Sequence, residues 1–251
     1  MLKISIITVC YNSERFIKTA IESVLNQTYK NIEYIVIDGN SKDNTVQIVK
    51  SYGDKISKVV NEPDMGIYDA MNKGLKLASG DYLGILNSDD FYINNTVIEQ
   101  IVDTLEKNKT DSLFTDLIYV DNQNVENEIR YWKSGNFKSN SFKKGWHPPH
   151  PTFFVKNEVY KRYGYFTLKF KLAADFELML RFLEKHKISS CYLPIPTIKM
   201  RLGGATNKSI SNIIKGNIEC YSAFKENGLD VSFLYPIYRL LPKFNQFLFK
   251  K

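Results

Sequence analysis

The sequence predicts an α/β fold: a mixed, mostly parallel sheet with helices on both faces, followed by a C-terminal helical tail. Two observations point to it. Short β-branched runs alternate with amphipathic helical patterns through the first half of the chain. That order implies right-handed crossovers and a sheet covered on both faces. Asp38-Gly39 and Ser88-Asp89-Asp90 each follow a buried-type apolar run, and sheets of this class bind ligands outside the carboxyl ends of their strands.

Each element has its own signal. Lys3–Val9 (KISIITV) is nearly continuous in apolar character, as a strand buried on both faces should be. Ser13 is placed to cap a helix whose Phe16, Ile17, Ala20, Ile21, Val24 and Leu25 form one apolar stripe. Glu33–Ile37 reads as a second strand, Thr45–Tyr52 as a short helix, and Val59-Val60 as a small third strand. Gly66–Ala78 is helical, with Ala70, Met71, Gly74 and Leu75 on one side. Tyr82–Leu86 is a strand running into Asn87-Ser88-Asp89-Asp90. Thr96 with Glu99 resembles a capping box opening another helix. Further on, Asp121–Asn127 is a polar loop and Gly145–Pro151 (GWHPPHP) a loop stiffened by three prolines. Thr152–Val155 is a short strand, Glu158–Tyr163 and Ala174–Glu184 are helical, and Ile188–Leu193 and Thr197–Met200 are strand-like.

The 251 residues suit one sizeable domain or one domain with a small appendage. Cys10, Cys191 and Cys220 are too far apart for a disulfide framework or a zinc spacing, which suits a reducing compartment. The first residues lack a signal-peptide pattern, and no apolar run reaches the roughly 20 residues of a membrane span. A cytoplasmic protein is the expectation. A net charge of +7 suits an anionic partner: a phosphorylated substrate, nucleic acid or a membrane surface.

Four sets of residues could carry chemistry. Adjacent carboxylates at Asp89-Asp90 repel unless a positive charge neutralises them. A hard divalent cation does so with phosphate oxygens completing its shell; a solvated turn is the alternative. Asp38 can accept hydrogen bonds from a base or ribose, or simply hold a loop. Asp175, at a helix start, is either stabilised by the helix dipole or a general base for an attacking hydroxyl. Arg201-Leu202-Gly203-Gly204 can clamp a phosphate, or be a plain turn. His147 and His150 flank two prolines, with too few partners for zinc; the loop is expected to shape a pocket.

Several ordered segments together resemble the family 2 glycosyltransferases, which have the GT-A fold. They are Ser5–Val9 with Tyr11-Asn12, Ser23–Tyr29, Ile37–Thr45, Glu62–Gly74, Ala78–Asp81 and Leu86–Asp90, and the agreement covers about residues 3 to 205. The resemblance implies a catalytic domain over residues 1–207, with a nucleotide-sugar half to about residue 92 and an acceptor half after it. It places Thr8, Tyr11, Asn12 and Asp38 at the nucleoside, with Asp38 on the base, and Asp64, Asn72 and Lys73 at further nucleotide contacts. Ser88-Asp89-Asp90 matches the family's metal motif with Ser at its first position. Asp90 is then the ligand of Mn²⁺ or Mg²⁺, and Asp89 stands beside the ion and the donor's ribose or sugar. Arg201 through Gly204 resembles the segment that closes over the diphosphate. Asp175 matches the catalytic base of an (E/A)D-x-E element whose first position here is Ala174. Trp146, His150 and Glu177 fall on the acceptor side.

The implied activity is an inverting transfer from a UDP-, GDP- or dTDP-sugar to an acceptor hydroxyl, on a lipid-linked glycan of bacterial surface polysaccharide or O-antigen. A sugar nucleotidyltransferase fits less well, because Cys10–Ser13 lacks a glycine-rich triphosphate loop. A non-catalytic nucleotide- or glycan-binding module would have no reason to keep Asp38, Asp90 and Asp175 together. Nucleic-acid binding rests on net charge alone. Residues 208–251 form the expected tail. Its Val231–Lys251 stretch mixes aromatic, aliphatic and basic residues, which suits a membrane interface; a helix packed on the domain is the alternative.

Overall fold

The structure, a computed structural model, describes residues 1–203 and 209–239. One sheet of nine strands runs through it. They are β1 (Ile4–Cys10), β2 (Ile32–Asp38), β3 (Lys58–Asn61), β4 (Tyr82–Asn87), β5 (Phe91–Tyr92), β6 (Ser112–Val120), β7 (Glu128–Trp132), β8 (Phe154–Lys156) and β9 (Ser190–Arg201). The helices are α1 (Ile17–Leu25), α2 (Thr45–Lys50), α3 (Ile67–Leu77), α4 (Val97–Asn108), α5 (Asn157–Tyr163), α6 (Ala174–Leu180) and α7 (Ile210–Glu226). A π turn at Arg181–Lys185 continues α6.

The strand order is β3-β2-β1-β4-β8-β6-β9-β5, with β7 paired to β6. β1 is parallel to β2 and β4, β2 to β3, and β6 to β9. The pairs β4/β8, β6/β8, β6/β7 and β5/β9 are antiparallel. β1 lies between β2 and β4, so the strand order reverses beside it. Crevices at such switch points are the ligand sites of open α/β sheets.

Alternation along the strands makes two apolar layers. Ile7, Val9, Ile35, Ile37, Leu83 and Ile85 face α3, α5, α6 and α7. Ile4, Ile6, Tyr34, Val36, Tyr82 and Leu86 face α1, α2 and α4. Each fully buried Ile or Leu contributes roughly 1.5–3 kcal/mol. α3 lies so close on the sheet that a Cβ on Gly74 would fall 2.3 Å from Ile7 Cγ2.

Several local expectations are corrected. The Ser13 hydroxyl does not cap α1; the Ser13 carbonyl accepts from the Ile17 N–H, and its Oγ instead lies 2.9 Å from Ser88 Oγ. The Thr96–Glu99 box does not form. Thr96 Oγ1 donates to Asn94, Glu99 accepts from Thr28, and the Ile98 N–H is capped by Gln27 Oε1 at 3.0 Å. The long-range amide wins over the local pattern. β6, β7 and the two-residue β5 have no counterpart in the sequence reading, and the two strand-like runs after residue 187 are one strand, β9.

The segment from Ser209 is helical, as expected, but it is no detached tail. Glu219 of α7 accepts the backbone N–H groups of Lys171, Leu172 and Ala173, and Phe224 packs on Phe176 of α6. Of the Val231–Lys251 stretch, residues 240–251 lie outside the described residues. Among the described residues no helix is long and apolar enough to cross a membrane.

Candidate active site

Asp38 closes β2 and stands opposite Cys10 of β1 and Asn61 of β3; Asn87 closes β4 opposite Val9. The Asp38 and Asn87–Asp90 clusters therefore flank the carboxyl end of β1 from two neighbouring strands, each roughly 4.8 Å away. Burial on both faces made these strands legible in the sequence, and the same burial sets their ends side by side.

On the β2 side the carboxylate of Asp38 is buried and accepts the Ser41 N–H at 2.9 Å and the Ser41 hydroxyl. It thereby shapes the loop after β2. Burial, and then the Asp38 charge, push the Cys10 thiol far up, so it stays protonated and is no nucleophile. Asn12, at φ 48°, joins the loop after β1 to that loop: its Oδ1 accepts the Lys42 N–H at 2.9 Å. Tyr11 is 60% exposed. Asp64 Oδ1 accepts the Gly66 N–H at 2.8 Å. A Cβ on Gly39 would fall 2.3 Å from Asp64 Oδ2 and 3.4 Å from the Tyr11 ring. Glycine here lets the loops after β1, β2 and β3 close on one another around Tyr11, Asp38 and Asp64.

On the β4 side Asp90 is fully buried; its Oδ2 accepts from Asn87 Nδ2 at 3.0 Å, whereas Asp90 Oδ1 and Asn87 Oδ1 have no hydrogen-bond partner. Burial, and then the Asp89 charge, push the Asp90 carboxyl well above the usual range, against the pull of Asn87 and Arg201. Arg201 comes from the end of β9, where it pairs with Val120 of β6. Its guanidinium lies between the rings of Phe16 (4.7 Å) and Phe91 (4.8 Å), and Nη1 donates to the Asp89 carbonyl. Gly204, in the expected closing segment, lies outside the described residues.

These residues fit a hard divalent cation. The donor set is all oxygen, and one buried carboxylate oxygen lacks a partner. Among the described residues no three His, Cys, Asp or Glu side chains converge.

On the acceptor side Asp175, in the first turn of α6, accepts from the Tyr68 hydroxyl of α3 at 3.1 Å. His150 is buried with its ring edge-on to Phe166 at 5.4 Å. Burial lowers its pKa, against the Asp175 charge, so the ring is neutral. Tyr119 of β6 connects the two halves. Its pKa is raised first by burial and then, against the pull of Arg130, by both Asp90 and Asp175. A wall of rings continues from it: Trp132 stacks on Tyr119 at 6.3 Å, His147 meets Trp132 at 5.2 Å, and Phe176 meets His147 at 5.5 Å. The Arg130 guanidinium lies 4.4 Å over Tyr119.

Other expected site residues take structural roles here. Thr8 is fully buried under the sheet and accepts the Tyr34 hydroxyl at 3.0 Å, because β1 points alternate residues into the α1 face. The Asn72 amide is spent on the Phe166 backbone, 2.9 Å each way. Lys73 bonds the Pro63 carbonyl at 2.7 Å and pairs with Glu62 at 2.9 Å, bracing the loop that carries Asp64. Glu177 is buried in an ion pair with Arg181 and accepts from Asn227, so it does not face an acceptor. Trp146 donates Nε1 to the Ser134 carbonyl and packs among Phe114, Phe137 and Phe142.

Tyr68, Tyr119, Arg130 and Trp132, which border Asp175 or the ring wall, carry no expectation from the sequence: Tyr68 lies within the Glu62–Gly74 segment, and the others lie on β6 and β7, whose sequences give no local strand signal. A cavity of about 700 Å³, lined by Leu2, Asp81, Tyr82, Lys109, Lys156 and Lys161, opens beside the start of β4. It is at the edge opposite the acidic turns.

Comparisons with known proteins show the family and the fold. The profile described as "Glycosyl transferase family 2" matches residues 5–164. An uncharacterised glycosyltransferase of Rickettsia typhi is 33% identical over 225 residues, 84% of this chain and 68% of its own. The Escherichia coli enzyme UDP-Glc:alpha-D-GlcNAc-diphosphoundecaprenol beta-1,3-glucosyltransferase WfgD is 42% identical over 106 residues, 42% of either chain. The chain thus spans about two thirds of the first relative and less than half of the second. Among solved structures, Staphylococcus aureus TarS 1–349 in complex with UDP-GlcNAc superposes with a TM-score of 0.69 at 19% identity, over 98% of this chain and 72% of that one. The mannosyltransferase PcManGT from Pyrobaculum calidifontis, in complex with GDP-Man and Mn²⁺, gives 0.66 at 15% identity, over 96% and 68%. The fold is the GT-A fold, and the chain belongs to glycosyl transferase family 2.

Proposed function

We propose that the chain is an inverting glycosyltransferase that moves a sugar from a nucleoside diphosphate-sugar to the hydroxyl of a lipid-linked glycan. The observation that carries the reading is the buried Asp90 carboxylate at the end of β4, one oxygen of which has no partner, with Arg201 bound to the neighbouring Asp89 carbonyl. Tyr11, Asp38 and Asp64 line the nucleoside end, and Asp89, Asp90 and Arg201 the diphosphate end. A divalent cation at Asp90, when bound, supplies Lewis-acid charge toward the leaving diphosphate.

The protein's own groups account for the remaining chemistry. Asp175 takes the proton of the acceptor hydroxyl as its oxygen bonds to the anomeric carbon. The bond from that carbon to the phosphate oxygen breaks, its electron pair leaving with the nucleoside diphosphate. The Arg201 guanidinium, held against Asp89, adds positive charge to the turn that would face the leaving diphosphate. One displacement inverts the anomeric configuration, and no protein nucleophile is required. The neutral His150 ring and the wall of Tyr119, Trp132 and His147 are apolar faces suited to sugar rings.

The diphospholipid acceptor in the name of the Escherichia coli relative supports the lipid-linked class. So do Ile214 and Ile218, one turn apart on α7 and 55% and 57% exposed, with Phe233 79% exposed beyond them. These suit a membrane interface that brings enzyme and lipid carrier together. Flotation with liposomes of anionic lipid tests this: equal behaviour of the wild type and a variant lacking residues 231–251 and carrying Ile214→Ser and Ile218→Ser removes it.

The central test is calorimetric titration with UDP-, GDP- and dTDP-sugars, with and without Mn²⁺. One nucleotide class binds with metal dependence, and Asp90→Ala abolishes that dependence. Asp175→Asn keeps donor affinity and loses transfer. Binding that ignores both the metal and Asp90 overturns the reading.

A further inference from the structure

Tyr68 is the second residue of α3, and it touches the acceptor-side base from the donor side of the fold. The turn before it is stapled twice: Asp64 Oδ1 accepts the Gly66 N–H at 2.8 Å, and Asp69 Oδ2 accepts the Met65 N–H at 3.0 Å. Gly66 itself has φ 116°, a conformation open to glycine. The Tyr68 ring stacks on Phe166 at 5.4 Å, and the Phe166 backbone is gripped by Asn72, one turn further along α3. The ring therefore has little freedom, and its hydroxyl reaches Asp175 Oδ1 at 3.1 Å across 107 residues of sequence.

We infer that Tyr68 is the positioning residue of the base: it holds Asp175 Oδ1, leaves Oδ2 for the acceptor hydroxyl, and ties that orientation to the loop carrying Asp64. This rests on the reading of Asp175 as base. A hydrogen bond donated to a carboxylate favours its charged, proton-accepting form and fixes its plane. Burial, and then the Asp175 charge, raise the pKa of Tyr68 well above its ordinary value, so the phenol keeps its proton to donate.

The other charged or titratable groups near Asp175 come from every element around it. His150 is neutral in the turn at residues 150–152, and Tyr119 lies on β6. Glu219 on α7 is held by the backbone at residues 171–173. Glu177 on α6 is paired with Arg181. The nearby cations are engaged elsewhere: the Arg130 guanidinium lies over Tyr119, and the Arg239 guanidinium lies over Phe176 and donates to Asn217.

Tyr68→Phe deletes the hydroxyl and keeps the stacked ring, so the fold stays intact and thermal unfolding checks it. Carbon-13 NMR of aspartate-labelled protein, with the Asp175 signal assigned through Asp175→Asn, reads the loss of the hydrogen bond directly and needs no substrate. The Asp175 carboxyl signal should move in Tyr68→Phe; an unmoved signal overturns the inference. Kinetics use UDP-glucose with an alkyl α-GlcNAc diphosphate as probe pair. Tyr68→Phe should lower kcat by roughly tenfold or more, with donor KM unchanged, and move the acid limb of kcat upward. In an Asp175→Asn background the same change should do nothing further. If Asp175→Asn keeps full transfer, the base reading fails, whatever Tyr68 does. If Asp175→Asn is inactive while Tyr68→Phe keeps wild-type kcat and pH profile, the positioning role alone fails.

Discussion

Asn72 grips Phe166 from both sides: its amide nitrogen donates to the Phe166 carbonyl and its amide oxygen accepts the Phe166 N–H, 2.9 Å each way. One buried side chain on α3 thus substitutes for a strand partner and pins the loop that precedes α6. The sequence resemblance assigned this residue to the nucleotide. Asn72→Ala should lower stability by about 1–3 kcal/mol, because two buried backbone groups lose their partner. Chemical denaturation measures that loss. A variant of wild-type stability with weakened donor binding would return Asn72 to the nucleotide.

Gly39→Ala separates packing from binding. Its Cβ would lie 2.3 Å from Asp64 Oδ2, the far end of a side chain that can swing away. Stability should change little, while donor affinity falls by roughly tenfold as Asp64 leaves the nucleoside pocket. Calorimetry of donor binding, beside a melting curve, gives both numbers.

Glu177 tests the correction on the acceptor side. Its carboxylate is 2.9 Å from Arg181 Nε and accepts from Asn227 at 3.0 Å, and both partners are largely buried. Removing one member of a buried pair leaves the other charge uncompensated. Glu177→Leu should therefore cost about 3–5 kcal/mol. A Glu177→Gln protein that still folds should keep its acceptor KM. A raised acceptor KM with unchanged stability contradicts the structural role.

Acid stability should depend on Glu33. Burial opposes its ionisation, but hydrogen bonds from Ser5, Ser79 and Lys58 outweigh it and lower the pKa from 4.5 to about 2. The folded value lies below the unfolded one, so the unfolded state binds the proton more readily. The stabilisation is complete above pH 4.5 and drains away as pH falls toward about 2. A shift of this size corresponds to on the order of 3 kcal/mol at neutral pH. Glu33→Gln should lose most of it and flatten the stability curve over that acid window, as urea unfolding at several pH values will read.

Much of the first half was legible because it is local. β1, β2 and β4 are buried on both faces and read as apolar runs, and the residues at their carboxyl ends follow them directly in sequence. Placing Asp38 and Asp90 at strand ends needed only that adjacency. Thr8, which the resemblance put at the nucleoside, is turned into the α1 face by alternation along β1. The acceptor half was harder. β6 is a nine-residue strand carrying Thr115 and Asp116 within its apolar run. Asp116 is satisfied only by Tyr131, Ser134 and Tyr192, the last 76 residues away.

The sequence by itself determined the fold class, the family and the acidic turns, since strand periodicity and turn chemistry act over a few residues. Only the tertiary structure decided which carboxylates are spent on the fold. Arg201 meets Asp89 across 112 residues, and Tyr68 meets Asp175 across 107. Glu177, two positions from Asp175, points instead into a buried ion pair. A helix turns successive side chains by 100°, so neighbours in the chain face different surroundings, and only packing reveals which.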